Sequence, residues 1–327
     1  MPRVREDDTV MSSQPQPASQ TDAAAPTFPA PLRGALLRAV SMAADAATAL
    51  VGSGDADAVD AAAVAALRVA LAAAPADIRV VAGEGEKDEA PMLHPGEVFG
   101  TGAGPALDLV VDPVDGTRLA AAGLPGSMAI LAVAPRGSFA ELGPAHYLDK
   151  LVHAGPDAGL DLAASVADNL ARLAAARGVP VAELTVAVQA RARNSAVSAA
   201  VRAAGARLHA FEHGDIERVV HAAASGGSLD LLLGVGGAPE GLLEAAIVRA
   251  HGGFMQAAPA PQSSRESARL AAAGIEAGRS FGLDELCAGP AFVAVAPVTA
   301  CALAPARADL VELAPGPIAE RLLTSSS

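Results

Sequence analysis

The chain has no tryptophan and one tyrosine, and aromatic residues make up only 2% of it. Its core must therefore be assembled from Ala, Val, Leu and Ile, which a hydrophobic content of 52% amply supplies. Cysteine is equally scarce. Cys287 and Cys301 suit neither a disulfide framework nor a paired metal-ligand motif, and a reducing cytoplasm is the simplest setting for them. Basic residues are outnumbered 23 to 36, giving a net charge of −13, which excludes nucleic acid or an anionic membrane surface as the main partner. Residues 1–30 lack the apolar stretch of a secretory signal and read as a disordered tail rich in Pro, Ser, Gln and Ala. The uncharged run from Ala288 to Ala306 is broken by Pro290, Pro297 and Pro305, so it reads as a buried strand at FVAVA followed by a loop, not as a membrane helix.

What is present is alternation. The spacing predicts helices over 32–50 and Ala61–Ala74, with Asp60 as an N-cap or first-turn acid of the second. Apolar runs at 78–83, 107–113 and 127–135 predict strands. A Gly-rich region containing Tyr147 and Lys150 leads into a helix over 161–178 closed by Gly178. Strands at 184–189, 206–211 and 229–237 then alternate with helices at 195–205, 215–224 and 241–253. This is the pattern of an α/β layered fold with a parallel or mixed sheet. At 327 residues the chain has room for two modest domains, and we expect a unit at 31–155 and another at 156–327.

Acids crowd two strand ends. GEGEKDE (83–89) places Glu84, Glu86, Asp88 and Glu89 after one strand, and DPVDGT (112–117) places Asp112 and Asp115 after another. Alone, the first is a solvated loop and the second a strand-to-helix turn with Thr117 capping the helix. Together with Asp60 they offer separate carboxylates of the kind that hold Mg²⁺ beside a phosphate ester. GVGGAPEG (234–241) is a strand–turn–helix junction without the dinucleotide fingerprint, and its glycines suit close backbone approach to a ligand, with Glu240 as a further acid. Among the few cations, Arg191 and Arg193 follow a strand at the end where α/β proteins bind ligands. His94, His153 and His221 earn no role.

GEGEKDEAPML, VDPVDGTR, AHYLDKL, ADNL and GVGGAPEG, in this order, resemble the class II fructose-1,6-bisphosphatases of bacteria. That family lies within the lithium-sensitive, metal-dependent sugar and inositol phosphatases, so the resemblance implies the layered sugar-phosphatase fold. It implies hydrolysis of the 1-phosphate of fructose 1,6-bisphosphate, with sedoheptulose 1,7-bisphosphate as a second substrate. It places Mg²⁺ or Mn²⁺ on Asp60, Glu84, Asp112, Asp115 and Glu240. Glu86 would project to the same side as Glu84 if the chain stays extended, as an additional ligand or support. Thr117 would position the attacking water. Asp115, Gly116, Thr117, Tyr147, Arg191, Arg193, His213, Asp215 and Gly237 would contact substrate. A cytoplasmic dimer or tetramer acting on a small sugar bisphosphate is the implied assembly.

The chain also departs from the family pattern. Ala56 and Asp57 stand where a lysine and an asparagine are usual, Asn194-Ser195 replace His-Asp, and His213 replaces the first Asp of a D-G-D triplet. The metal half reads as intact and the sugar-recognition half as edited. Two alternatives to fructose 1,6-bisphosphate hydrolysis follow. One is a paralogue acting on another phosphorylated sugar or cyclitol; the other is a weakly catalytic sugar-phosphate-binding protein.

Overall fold

A computed structural model of the chain describes residues 28–83, 93–223, 226–301 and the strand at 311–313. Its helices are α1 (Ala30–Thr48), α2 (Ala56–Ala72), α3 (Thr117–Ala121), α4 (Val166–Arg177), α5 (Ser195–Ala203), α6 (Asp215–Ala223), α7 (Ala238–His251), α8 (Ser264–Ala272) and α9 (Leu283–Leu286). The strands are β1 (Asp77–Ala82), β2 (Val98–Phe99), β3 (Ala106–Asp115), β4 (Met128–Pro135), β5 (Tyr147–His153), β6 (Thr185–Gln189), β7 (Arg207–Phe211), β8 (Leu231–Gly237), β9 (Phe254–Pro259), β10 (Phe281–Gly282), β11 (Phe292–Pro297) and β12 (Val311–Leu313). They form two mixed sheets, ordered β12-β11-β4-β3-β1-β2 and β10-β9-β5-β8-β6-β7. The chain passes from the first sheet to the second at β5 and returns to the first at β11.

Strand alternation assigns each sheet face to its own core. On the first sheet, Leu109 and Val111 of β3 and Phe292, Ala294 and Ala296 of β11 pack with α1 and α2. Val110, Val293 and Val295 point the opposite way, onto α6 and α7. The second sheet covers the far side of α6 and α7 through Leu148, Val152, Leu232 and Met255. Its outer face, carrying Leu151, Val186, Val188 and Leu233, packs with α4 and α5. The result is five layers, α-β-α-β-α, as the α/β reading requires. Strands buried on both faces explain why the sequence shows near-continuous apolar runs instead of alternation.

The shortage of aromatics shapes the outer layer. On α1 the buried positions are Leu32, Ala35, Leu36, Ala39, Val40, Ala43, Ala44 and Ala47, a helical stripe mostly of alanine that lets α2 approach closely. The middle layer, α6 and α7, is enclosed between the two sheets. In α7 every residue from Gly241 to Val248 is buried, including Glu244.

Several element boundaries differ from the sequence-based expectation. The second helix starts at Ala56, because Asp55 caps it by accepting from the Ala58 amide at 3.0 Å. Asp60 therefore sits one turn inside α2 and is buried, and it is neither the N-cap nor a first-turn acid. Thr117 does not cap α3 either. Gly116, with φ at 78°, occupies the cap position, and Thr117 is the first helical residue. The helix expected from residue 161 begins at Val166, where Ser165 accepts from the Asp168 amide. Residues 161–164 instead turn back on Asn169, whose side chain bonds Asp161 at both its amide and its carbonyl. The seventh helix starts three residues earlier than the periodicity predicts, with Pro239 in its first turn, which moves Glu240 from the loop into the helix. The Gly-rich region around Tyr147 and Lys150 contains a full strand, β5. The FVAVA strand is present as β11. Phe28 is buried against Phe292, so ordered packing begins within the stretch expected as tail. Residues 1–27 of that tail, and Glu84, Glu86, Asp88 and Glu89, lie outside the described residues. Cys287 and Cys301 are free and buried, and among the described residues no helix is long and apolar enough to cross a membrane.

Candidate active site

The fold brings three element ends together: the C-terminal end of β3 and the N-termini of α6 and α7. Strand β3 changes register against β4 between Asp112 and Asp115, a bulge that leaves Pro113 and Val114 unpaired before Asp115 meets Met128. Asp112 Oδ1 braces this turn by accepting from the Val114 amide at 3.0 Å. The left-handed Gly116 then reverses the chain and aims the Thr117 hydroxyl back at α2. Thr117 Oγ1 lies 2.9 Å from Asp60 Oδ1 and 2.9 Å from the Val114 carbonyl oxygen. Two residues 57 positions apart are thereby joined, and burying Asp60 one turn inside α2 makes this contact geometrically possible.

Four acids converge behind the turn. Asp115 Oδ2 accepts from the Ile216 amide at 3.3 Å, at the start of α6. Burial, then the charges of Asp215, Glu240 and Glu244, hold the Asp115 carboxyl well above the usual carboxylate range. Burial and Asp215 likewise raise Glu240, against its own backbone amide, Lys150 and Arg193. Burial pushes Glu244 up to about 7 although Lys150 opposes it. Lys150 itself is 1% exposed, bonded to Glu244 Oε1 and 3.3 Å from Asp215 Oδ2. Burial pulls its amine down, but Glu244 and Asp215 outweigh that and raise it. One oxygen of Glu244, Oε2, is buried without a hydrogen-bond partner among the described residues.

The glycines of GVGGAPEG clear room for named side chains. A Cβ on Gly234 would sit 2.9 Å from Asn194 Oδ1, and Asn194 stitches β6 to β8 by bonding the Gln189 carbonyl and both polar groups of the Val235 backbone. A Cβ on Gly236 would sit 2.5 Å from Lys150 Nζ and 2.9 Å from Asp215 Oδ2. A Cβ on Gly237 would overlap the Glu240 carboxylate. Replacing Gly236 with alanine is expected to cost about 1–3 kcal/mol, since a buried lysine has nowhere to retreat. Urea denaturation of the variant reads this as a lower midpoint with an unchanged slope.

A cavity of about 860 Å³ opens onto this cluster. Asp112, Tyr147, Gly237 and Glu240 all line it, and so does Gly83, the residue immediately before Glu84. Arg193 stacks its guanidinium 4.8 Å from the centre of the Tyr147 ring. Its Nε donates to the Val235 carbonyl at 2.9 Å and its Nη2 to Gln189 Oε1 at 2.7 Å. Gln189 Nε2 donates in turn to Asp215 Oδ1 at 2.9 Å. Arg191 belongs to a separate pair, with Nη2 3.0 Å from His213 Nδ1. Burial pushes the His213 imidazole down, and Arg191 and Arg118 add to the effect, so the ring is neutral and accepts from Arg191.

Among the described residues no three His, Cys, Asp or Glu side chains converge closely enough to hold a metal by themselves. The donor chemistry nevertheless fits a hard divalent cation. The acids at and behind the cavity present oxygen only, and two of them, Asp115 and Glu240, are raised by burial and then by neighbouring negative charge that a cation would neutralise. Sequence reasoning missed Gln189, the brace made by Asn194, and the Lys150–Glu244 pair. One signal for the last was available: Glu244 lies four residues beyond Glu240, on the same helical face.

The sequence matches the family model described as bacterial fructose-1,6-bisphosphatase, glpX-encoded, over residues 31–306. It is 40% identical over 251 residues to fructose-1,6-bisphosphatase 1 class 2 of Escherichia coli strain K12, covering 72% of this chain and 74% of that one. The fructose-1,6-bisphosphatase class 2 of Shigella flexneri is related to the same extent, 40% over 251 residues with the same coverage. Layered fold, acidic strand end and glycine-cleared helix start thus stand in a chain that belongs to the bacterial class II fructose-1,6-bisphosphatase family.

Proposed function

We propose that the chain hydrolyses the 1-phosphate of fructose 1,6-bisphosphate, releasing fructose 6-phosphate and inorganic phosphate with the aid of Mg²⁺ or Mn²⁺. The observation that carries this reading is one cavity lined by Asp112, Tyr147, Gly237 and Glu240, with Asp115 and Asp215 packed behind it. Asp60, Asp112, Asp115 and Glu240, with Glu84, would hold the metal. A bound divalent cation supplies neutralisation of the phosphoryl oxygens and a more acidic attacking water.

The remaining work falls to the chain's own groups. Thr117 has one hydroxyl proton and two acceptors, Asp60 and the Val114 carbonyl. With that proton held at either acceptor, the Thr117 oxygen is left to accept a hydrogen bond from the attacking water and so fix its direction. Asp115 and Gly116 shape the floor of the phosphate site, and Gly237 offers backbone to the ligand. Tyr147, Arg191 and Arg193 grip the distal phosphate and the sugar, together with His213 and Asp215. Positioning and charge stabilisation account for catalysis of this class. The reading extends, on the family resemblance, to a cytoplasmic homo-oligomer.

One observation favours a shifted sugar preference. The Arg191–His213 pair puts a neutral ring where an acid is usual, so hydroxyl recognition there differs. Phosphate release from fructose 1,6-bisphosphate, sedoheptulose 1,7-bisphosphate and a panel of other phosphorylated sugars and cyclitols, each with Mg²⁺, with Mn²⁺ and with chelator, tests both readings. We expect metal-dependent release from fructose 1,6-bisphosphate. Release only from other phosphorylated sugars or cyclitols would favour the paralogue, and no release at all would favour a binding protein.

A further inference from the structure

We propose that Gln189 is a positioning residue that locks Arg193 and Asp215 in register and thereby sets affinity for the sugar end of the substrate. The inference deepens the proposed reading and rests on it. Arg193 comes from the turn before α5 and Asp215 from the first residue of α6, so nothing covalent fixes one against the other. Gln189, the last residue of β6, touches both: its Oε1 accepts from Arg193 at 2.7 Å and its Nε2 donates to Asp215 Oδ1 at 2.9 Å. An amide flipped by half a turn would break both bonds at once, so the two partners fix its orientation. Lys150 holds the other Asp215 oxygen, and Glu244 holds Lys150. Tyr147 lies against the Arg193 guanidinium. A continuous series from Tyr147 through Arg193, Gln189, Asp215 and Lys150 to Glu244 therefore ties β5 and β6 of the second sheet to α6 and α7. Arginine loses much rotamer freedom when a ligand immobilises it, and a partner that holds it beforehand removes that loss from binding.

The role is separable from folding. Gln189 is half-buried, and β6 is anchored in the core by Val186, Ala187 and Val188. Gln189→Leu keeps the bulk and removes both bonds. Gln189→Glu keeps an acceptor for Arg193 but sets a like charge against Asp215.

The test is steady-state kinetics with fructose 1,6-bisphosphate alongside calorimetric titration with fructose 6-phosphate and with inorganic phosphate. For Gln189→Leu we expect KM to rise about tenfold with kcat within twofold. Fructose 6-phosphate affinity should fall by the same factor, and inorganic phosphate affinity should hold. Gln189→Glu should raise KM further. Wild-type KM and fructose 6-phosphate affinity in a folded Gln189→Leu protein would overturn the proposal, as would a loss confined to kcat. A wild-type protein that binds fructose 6-phosphate but releases no phosphate would sink the catalytic reading alone, and the titration would still decide the role of Gln189. Failure of the wild type to bind fructose 6-phosphate would overturn both.

Discussion

Asp115→Asn is expected to cut phosphate release by about 10³-fold and, in the presence of chelator, to raise the melting temperature. Both effects come from one feature. Asp115 is buried among Asp215, Glu240 and Glu244, and that surrounding raises its carboxyl well above the usual range. A folded-state value above the unfolded one means that ionisation is costlier in the folded protein. Below the unfolded value, near pH 4, both states are protonated and the residue contributes nothing. As the pH rises toward the folded value, the unfolded chain ionises first and the native state loses stability relative to it. Asparagine keeps the shape and an acceptor for the Ile216 amide without that charge, so its advantage should be absent near pH 4 and widen on the way to neutrality. The catalytic loss follows from the same charge, because neutral oxygen is a poor ligand for a divalent cation, and preorganised charge lost from such a site costs two to three orders of magnitude in rate. Calorimetric scans across that pH range, paired with an assay at neutral pH, read both consequences.

Thr117→Val is expected to lower kcat by about 10²-fold or more, with a smaller change in KM. Valine matches threonine in shape and suits the first turn of α3, so the fold should persist. What disappears is the oxygen held 2.9 Å from both Asp60 and the Val114 carbonyl. Without it nothing on α3 orients the water. Thr117→Ser restores the hydroxyl and should recover activity to within about tenfold of wild type. A serine variant as poor as the valine variant would show that the methyl packing matters and the hydroxyl does not.

The α/β class was legible because it rests on periodicity, which each sequence segment carries in itself. Boundaries were less so. Asp55 and Asp60 both sit near the start of α2, and residue type alone does not say which carboxylate meets a free amide. The distinction depends on where α3 places Thr117, a contact made across 57 positions. The motif residues at the strand ends were readable because acids at the end of an apolar run are chemically conspicuous. Glu244 was not, since a single acid in GLLEAAIV reads as an exposed position on an amphipathic helix until the second sheet covers that face. The roles of Gln189 and Asn194 were invisible for a related reason: neutral amides act here through Asp215 of α6 and Val235 of β8, which are distant in sequence. The carboxylate crowd at Glu84 to Glu89 lies outside the described residues, and its part in the site rests on Gly83 at the cavity wall.

The central claim is that the acidic end of the cavity is where cation and scissile phosphate meet. Anomalous scattering from crystals grown with Mn²⁺ and fructose 6-phosphate tests it most directly. The account predicts Mn²⁺ peaks bordered by Asp112, Asp115 and Glu240, with the sugar phosphate reaching toward Tyr147 and Arg193. Mn²⁺ absent from those carboxylates while the sugar phosphate is bound, or a sugar phosphate seated away from them, would contradict it.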